Sequence, residues 1–253
     1  MKKIYNIIGL IPSRLKSTRL PFKALLPINN IPLVIHTYKR AKMSKLLNDV
    51  KICCDDKKIM DIARKYKADA LLTSTHHSNG TERIFEAYLK IKKKYDFVLD
   101  IYGDEPLISP MHIDQVINFH IKNQDADIIL PYFNIKNVNN TNIVKLVVNK
   151  QKELMYLSRA NIPFEFRGNS KFIKKHLSIL SFKPEALKKF SNHSRTSLEK
   201  IEDIEMLRAL EIGLKVKTLE LKGDSFSIDV EKDYNRAKKK MSYDKFFKFY
   251  NKS

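Results

Sequence analysis

Three short stretches hold the side chains that could do chemistry. In "PSRLKSTRLPFK", residues 12–23, Arg14, Lys16, Arg19 and Lys23 crowd into one segment directly after the apolar run Ile7-Ile8-Gly9-Leu10-Ile11. The segment has no glycine and matches neither GxxxxGK[ST] nor GxGxxG, so a backbone cradle for phosphate is not its device. Its side chains could do that work: arginine offers a bidentate fork to phosphate oxygens, and Lys23 supplies a point charge after Pro21. The same composition also suits an ordinary charged surface loop.

The second stretch is "DFVLDIYGDEP", in which Asp100 falls inside a strand-like run while Asp104 and Glu105 come after Gly103, just past its end, where a carboxylate can reach into a cleft. Mg²⁺ takes oxygen ligands and is commonly held by one or two carboxylates plus substrate phosphates. A G-D-E-P turn is equally a plain polar turn. The third stretch, "SFSIDVEKD", puts Asp229 after the apolar Ile228 as another strand-end acid, or as an acid near the start of the next helix. Taken together, a cationic loop and two acids far apart in sequence are what phosphoryl or nucleotidyl transfer requires, because that chemistry rests on positioning and charge neutralisation. No Ser-His-Asp arrangement competes. His76-His77 have no partner at ligand spacing and are not read as a metal site.

These stretches need elements to position them. Apolar strand-like runs alternate with helical patterns: Ile4–Ile11 then Leu33–Met43, Val50–Cys54 then Lys57–Tyr66, Ala70–Thr73 then Thr81–Lys93, Phe97–Ile101 then Met111–Lys122. Such alternation predicts an α/β fold, a mostly parallel sheet flanked by helices, with ligands at the carboxyl ends of the strands. "PSRLKSTRLPFK", "TSTHHSNGTER" and "YGDEP" all fall there. Ser109-Pro110 suits a helix start, and the acids from Glu199 to Glu205 ahead of Arg208 predict a helix that Gly213 ends. From Asp127 to Phe182 the pattern turns β-rich, which predicts a smaller inserted subdomain within about 127–183, of the kind through which α/β proteins often dimerise. Residues 243–253 alternate aromatic and basic side chains, as a packed or frayed extension or a surface-docking segment would.

Composition limits the function further. The 253 residues carry a formal charge of +20, which invites a nucleic-acid reading. Only 10 of the 48 basic residues are arginine, however, and the lysines are spread over nearly every expected helix, so a solvated surface with no nucleic-acid footprint is predicted. No 18-residue apolar stretch is present, and the short apolar run at the start is followed by Pro and Arg. A cytoplasmic protein with no membrane span is expected. Cys53 and Cys54 are adjacent, which makes a mutual disulfide implausible and suits buried thiols in a reducing compartment.

The residues also resemble a family, the bacterial cytidylyltransferases that activate 3-deoxy-manno-octulosonate (Kdo). From residue 7 to about 237 the matches are "IPSRLKSTRLPFKAL" to PAR-x-x-S-x-R-L-P-G-K-x-L, "NGTER" to S-G-T-[DE]-R, "YGDEPLI" to Q-G-D-[EQ]-P-x-I, "YLSRANIPF" to Y-F-S-R-x-x-I-P, "KHLSI" to K-H-x-G-[IV], "IEMLRALEIGLKV" to L-E-Q-L-R-x-L-x-x-G and "SIDVEKD" to V-D-T-P-x-D. The resemblance implies a Rossmann-like fold, one cytidylyltransferase domain over residues 1–242, and a homodimer. It implies an Mg²⁺-dependent enzyme that joins CMP from CTP to an acidic sugar and releases pyrophosphate, for lipopolysaccharide and other cell-envelope glycans. By the same carry-over Arg14 and Lys23 hold the triphosphate with Arg19 beside them, Asp104 and Asp229 bind the metal, Thr81 and Arg83 belong to the nucleotide pocket, and His176 and Glu205 to the sugar side. His77 becomes a pocket neighbour.

The pattern is broken at Phe22, where the family has glycine, and at Tyr102, Met206 and Leu180, where it has Gln, Gln and Tyr near the sugar. Losing hydrogen-bonding groups there points to a related acid, 8-amino-Kdo or a sialic-like one, as the rival acceptor; Kdo stays the expected one, because a hydrogen bond can be supplied from elsewhere. A basic binding protein without catalysis is the rival from another class, and retention of both Asp104 and Asp229 speaks against it.

Overall fold

The apolar run that opens the chain becomes strand β1 (Ile7–Ser13), buried from residue 7 to residue 11. We describe residues 3–168 and 170–251 of a computed structural model. The ends of the expected domain and tail, residues 1–2 and 252–253, lie outside the described residues. The chain divides into two compact units, Met1–Asp114 with Ser225–Ser253, and Gln115–Asp224.

In the first unit the basic loop leaves β1 and closes in a 3-10 turn at Lys23–Leu25, followed by the short hairpin of β2 (Pro27–Ile28) and β3 (Ile31–Pro32). Then come α1 (Leu33–Ala41), β4 (Asp49–Cys54), α2 (Lys57–Lys65), β5 (Ala70–Leu72), α3 (Gly80–Lys90), β6 (Phe97–Ile101) and α4 (Pro110–Lys122), which runs on into the second unit. Strands β5, β4, β1 and β6 lie side by side in that order, every pair parallel. The alternation read from the sequence is therefore a set of βαβ crossovers. Strands covered on both faces are buried along their length, as β6 is over all five residues, Asp100 among them. Local chemistry sets the helix starts: the Asp56 side chain accepts from the Lys58 amide at 2.7 Å, Asn79 accepts from the Glu82 amide at 2.9 Å, and α4 begins on Pro110. Cys53 and Cys54 are buried and free, and burial raises both thiols, Cys54 to about 11.

The second unit is built on β7 (Ile128–Lys136). With β8 (Lys145–Val148), β9 (Leu154–Ser158), β10 (Phe172–His176) and β11 (Ile179–Phe182) it forms antiparallel pairs, β7 with β10 and β11, β8 with β9 and β10. Helices α5 (Pro184–Ser191), α6 (Ser197–Glu202) and α7 (Met206–Glu211) follow, and β12 (Val216–Glu220) adds to β7 in parallel. The single helix expected before Gly213 is in fact two, α6 and α7. The break is at Asp203, whose φ is 51°, and Arg159 accounts for it: its guanidinium donates to the carbonyls of Glu202 at 2.8 Å and Asp203 at 3.0 Å, satisfying the groups a continuing helix would use. Gly213, at φ 72°, does end α7.

The first unit ends with α8 (Glu231–Met241) and α9 (Phe247–Tyr250). The aromatic tail is packed on α1: Phe247 and Tyr250 are buried, the Tyr250 hydroxyl lies 2.8 Å from Nδ1 of the buried His36, and Arg40 pairs with Asp244.

Candidate active site

The loop after β1 is shaped by a turn that its composition hides. Leu20-Pro21-Phe22-Lys23 closes with the Lys23 amide donating to the Leu20 carbonyl at 3.1 Å, and Phe22 sits at φ 54°, ψ 29°. Pro at the second position and a left-handed third residue are the features of a type II turn, which favours glycine at that third place. This is why the family pattern has glycine where this chain has Phe22. The turn delivers the Lys23 side chain inward while Phe22 stays half exposed, with the Lys58 ammonium 5.7 Å from its ring centroid.

Lys23 is where the acids meet. Its ammonium donates to Asp104 Oδ2 at 2.8 Å and reaches Asp229 Oδ1 at 3.4 Å, and Arg19 Nη2 donates to the same Asp229 oxygen at 3.0 Å. Burial disfavours the charged form of Lys23, but the two carboxylates outweigh it and hold its pKa above the ordinary lysine value. Asp104 Oδ1 is buried with no hydrogen-bond partner among the described residues. Arg14, at the other end of the loop, is exposed and makes no side-chain hydrogen bond among those residues.

The turn that carries Asp104 is pressed against β1. A Cβ on Gly103 would lie 2.5 Å from the Pro12 carbonyl oxygen, so only glycine allows the approach. Thr37 of α1 donates to the Gly103 carbonyl at 3.4 Å. Asp229 is not at a strand end: residues 221–229 form no strand, and the segment is held instead by the Ile228 amide donating to the Asp104 carbonyl at 3.0 Å. Asp233 at the start of α8 accepts from the amides of Asp229 and Val230, both at 3.2 Å. Glu105, expected to reach into the cleft, is turned inward and buried.

Thr81 and Arg83 open α3 beside this loop. Thr81 is buried, with its hydroxyl 3.3 Å from the buried Asp100 carboxylate. The Arg83 guanidinium donates to Thr73 Oγ1 at 2.8 Å and the Ser74 carbonyl at 3.0 Å, and lies 3.4 Å from Asp55. Asp55 also accepts from the Leu15 amide at 2.9 Å, so it ties the basic loop to α3. Sequence reading missed Asp55; the only available signal was its place directly after β4. His77 pairs with Glu86, which also takes the Ser74 amide at 2.8 Å and Lys90 at 2.6 Å. Burial pushes the Glu86 carboxyl up, and these three partners outweigh it, bringing it to about 2. Tyr102 is half-buried between β6 and Gly103.

The structure thus gathers Arg19, Lys23, Asp104 and Asp229 at one point, with Arg14, Thr81, Arg83 and Tyr102 on the same unit. His176 and Glu205 belong to the second unit. His176 ends β10, where burial, with help from the Lys175 charge, lowers it to about 4; Glu205 precedes α7, its carbonyl accepting from the Arg208 amide at 3.0 Å. Met206 and Leu180, two of the departures from the family pattern, are buried, at 1% and 0% exposure.

The chain as a whole has known counterparts. The family model described as Cytidylyltransferase matches residues 8–218. The 3-deoxy-manno-octulosonate cytidylyltransferase of Thermodesulfovibrio yellowstonii is 38% identical over 92% of this chain and 96% of its own length. The 8-amino-3,8-dideoxy-manno-octulosonate cytidylyltransferase of Shewanella piezotolerans is 32% identical over 94% of this chain and all of its own. A solved structure of CMP:2-keto-3-deoxy-manno-octonic acid synthetase complexed with CTP superposes with a TM-score of 0.88 at 25% identity, covering 94% of this chain and 99% of that one. The α/β fold expected from the alternation is therefore that of a nucleotidyltransferase, and the chain belongs to the cytidylyltransferase family.

Proposed function

We propose that this enzyme joins CMP from CTP to the anomeric hydroxyl of Kdo and releases pyrophosphate. The hydroxyl oxygen forms a bond to the α-phosphorus and gives up its proton to solvent, the bond from that phosphorus to the bridging oxygen breaks, and pyrophosphate leaves with the electron pair. The observation that carries the reading is the convergence of Lys23, Asp104 and Asp229, which puts a phosphate-binding cation and two hard oxygen donors at one point. Arg14, with its uncommitted fork, and Lys23 take the triphosphate oxygens, Arg19 adds charge beside them, and Thr81 and Arg83 shape the nucleotide side. His176, neutral because its pKa is low, and Glu205 are assigned to the sugar.

Nucleotidyltransferases of this kind generally depend on a metal. Among the described residues no cluster of three or more His, Cys, Asp or Glu could hold one unaided. Two carboxylates completed by substrate phosphates suit Mg²⁺, and the orphaned Oδ1 of Asp104 fits that demand. Asp104 and Asp229 are the residues to hold it; when bound, it would neutralise charge on the phosphates.

Kdo is favoured over 8-amino-Kdo and sialic-like acids because two of the three departures, Met206 and Leu180, are core residues here, which leaves the half-buried Tyr102 alone among them with side-chain access. A side chain without solvent access offers a soluble sugar no contact, so their departure from the family pattern need not alter what the sugar meets. We further propose one cytidylyltransferase domain over residues 1–242, homodimerisation through the β-rich part within 127–183, and a cytoplasmic enzyme of cell-envelope glycan synthesis. No helix among the described residues is long and apolar enough to cross a membrane. The test is pyrophosphate release from CTP and Mg²⁺ with Kdo, 8-amino-Kdo and a sialic acid in parallel. Release with Kdo is expected, and release only with another acid overturns the choice of acceptor. Asp104→Ala should keep the fold and abolish turnover; near-normal activity in that variant removes Asp104 from the metal site.

A further inference from the structure

Asp104 and Asp229 are 125 positions apart, and the segment that brings Asp229 back has no strand ladder to fix it. Something else must set its register. Glu105 follows Asp104 in the same turn, yet its carboxylate points the other way and is 1% exposed. There Oε2 accepts a hydrogen bond from the Ser225 hydroxyl, and Oε1 accepts from the Ser227 hydroxyl at 3.3 Å. Ser225 is itself 1% exposed, and Ile228 beyond it is fully buried. With the Ile228 amide on the Asp104 carbonyl at 3.0 Å, the returning segment is fastened to the Asp104 turn at three residues, 225, 227 and 228.

We propose that Glu105 is the positioning residue of this site: it clamps Ser225 and Ser227 so that Asp229 comes to rest against the same cation as Asp104. The proposal rests on the reading of these two acids as the metal pair. Its logic is that a hydrogen bond shut away from water is stronger than a solvated one. A carboxylate with a hydroxyl on each oxygen fixes two points of the incoming chain, and therefore both its depth and its rotation. Without the clamp, residues 225–229 would keep the buried Ile228 and the Asp233 bonds to the Asp229 and Val230 amides, but lose the two side-chain ties that set how the segment approaches the Asp104 turn.

The experiment uses the full chain and Mn²⁺ as the probe, with binding followed by electron paramagnetic resonance well below the unfolding temperature, and amide exchange at Ile228 followed by NMR without metal. Glu105→Ala is expected to weaken Mn²⁺ by at least about tenfold, the usual cost of losing an outer support of a metal ligand. It is also expected to speed Ile228 exchange by a comparable factor. Glu105→Gln, which can still accept one hydroxyl and donate to the other, should stay within about threefold of the parent. Ser225→Ala, a milder change that leaves the buried carboxylate in place, should move both readouts in the same direction. Native Mn²⁺ affinity in a folded Glu105→Ala protein overturns the proposal. Equal losses in Glu105→Ala and Glu105→Gln also overturn it, because they assign the effect to charge and not to the clamp. Asp104→Asn and Asp229→Asn serve as controls: if they bind Mn²⁺ like the parent, the metal reading fails, while the exchange rate at Ile228 still decides whether the clamp exists.

Discussion

Replacing Gly103 with alanine tests how tightly the site depends on the approach of two backbones. The added Cβ would stand 2.5 Å from the Pro12 carbonyl oxygen, with Ile11 Cγ2 at 3.3 Å behind it. A carbon meets a carbonyl oxygen comfortably at about 3.3 Å, so the turn and β1 must separate by roughly 0.8 Å. Neither partner is the free end of a side chain, so the strain cannot be relieved locally. Overpacking of this kind costs about 1–3 kcal/mol, which for a chain of this size lowers the melting temperature by roughly 2–12 °C. The catalytic cost should be larger. Asp104 is the next residue, and the displacement carries it away from Lys23, which it now meets at 2.8 Å. Since a misplacement of about 1 Å can cost about a hundredfold, Gly103→Ala should lower kcat by roughly ten- to a hundredfold in the pyrophosphate assay, in protein that remains folded at the assay temperature. A variant with the parental melting temperature and a kcat within about twofold of the parent would refute the close approach and its role in placing Asp104.

Two further outcomes are expected. Phe22→Gly should change stability by less than about 1 kcal/mol in urea unfolding, because relief of the left-handed strain, roughly 1–2 kcal/mol, offsets the freedom glycine adds to the unfolded chain and the loss of the cation-π contact with Lys58; a loss above about 1 kcal/mol contradicts the turn assignment. Burial lowers His36 and His120 from 6.5 to about 4, so the unfolded chain binds their protons first. The stability they contribute is present above pH 6.5 and is lost as pH falls towards 4, by about 3 kcal/mol each, and unfolding at pH 7.5, 6 and 5 should show that slope reduced by about one proton in His36→Gln.

Most of what could be read from the sequence was local. Strand β6 runs over the residues its apolar pattern marks, and α2, α3 and α4 start where Asp56, Asn79 and Pro110 supply a cap or a fixed φ. The cationic loop and Asp104 were legible because residue type and place after a strand carry the signal. What was not legible depends on partners remote in sequence. The break between α6 and α7 is set by Arg159, more than forty positions earlier. The inward turn of Glu105 depends on Ser225 and Ser227, and Asp55 acquires its role only when β4 brings it to Leu15 and Arg83. In each case a polar side chain that looks like surface chemistry in the sequence is used to fasten one segment to another.

That distinction also explains why the net charge of +20 says little about the site. What matters is the local balance: the loop supplies Arg14, Lys16, Arg19 and Lys23, and the two acids take up half of that charge, four minus two leaving two. Two carboxylates on their own would repel a triphosphate. Held against Lys23 and Arg19, they are neutralised before a nucleotide arrives, and under the proposed assignment the uncommitted Arg14 fork is left to meet it. On that proposal the acids serve as hard oxygen donors without making the pocket anionic, and a loop rich in side-chain cations would do what a glycine-rich backbone cradle does in other nucleotide-binding folds.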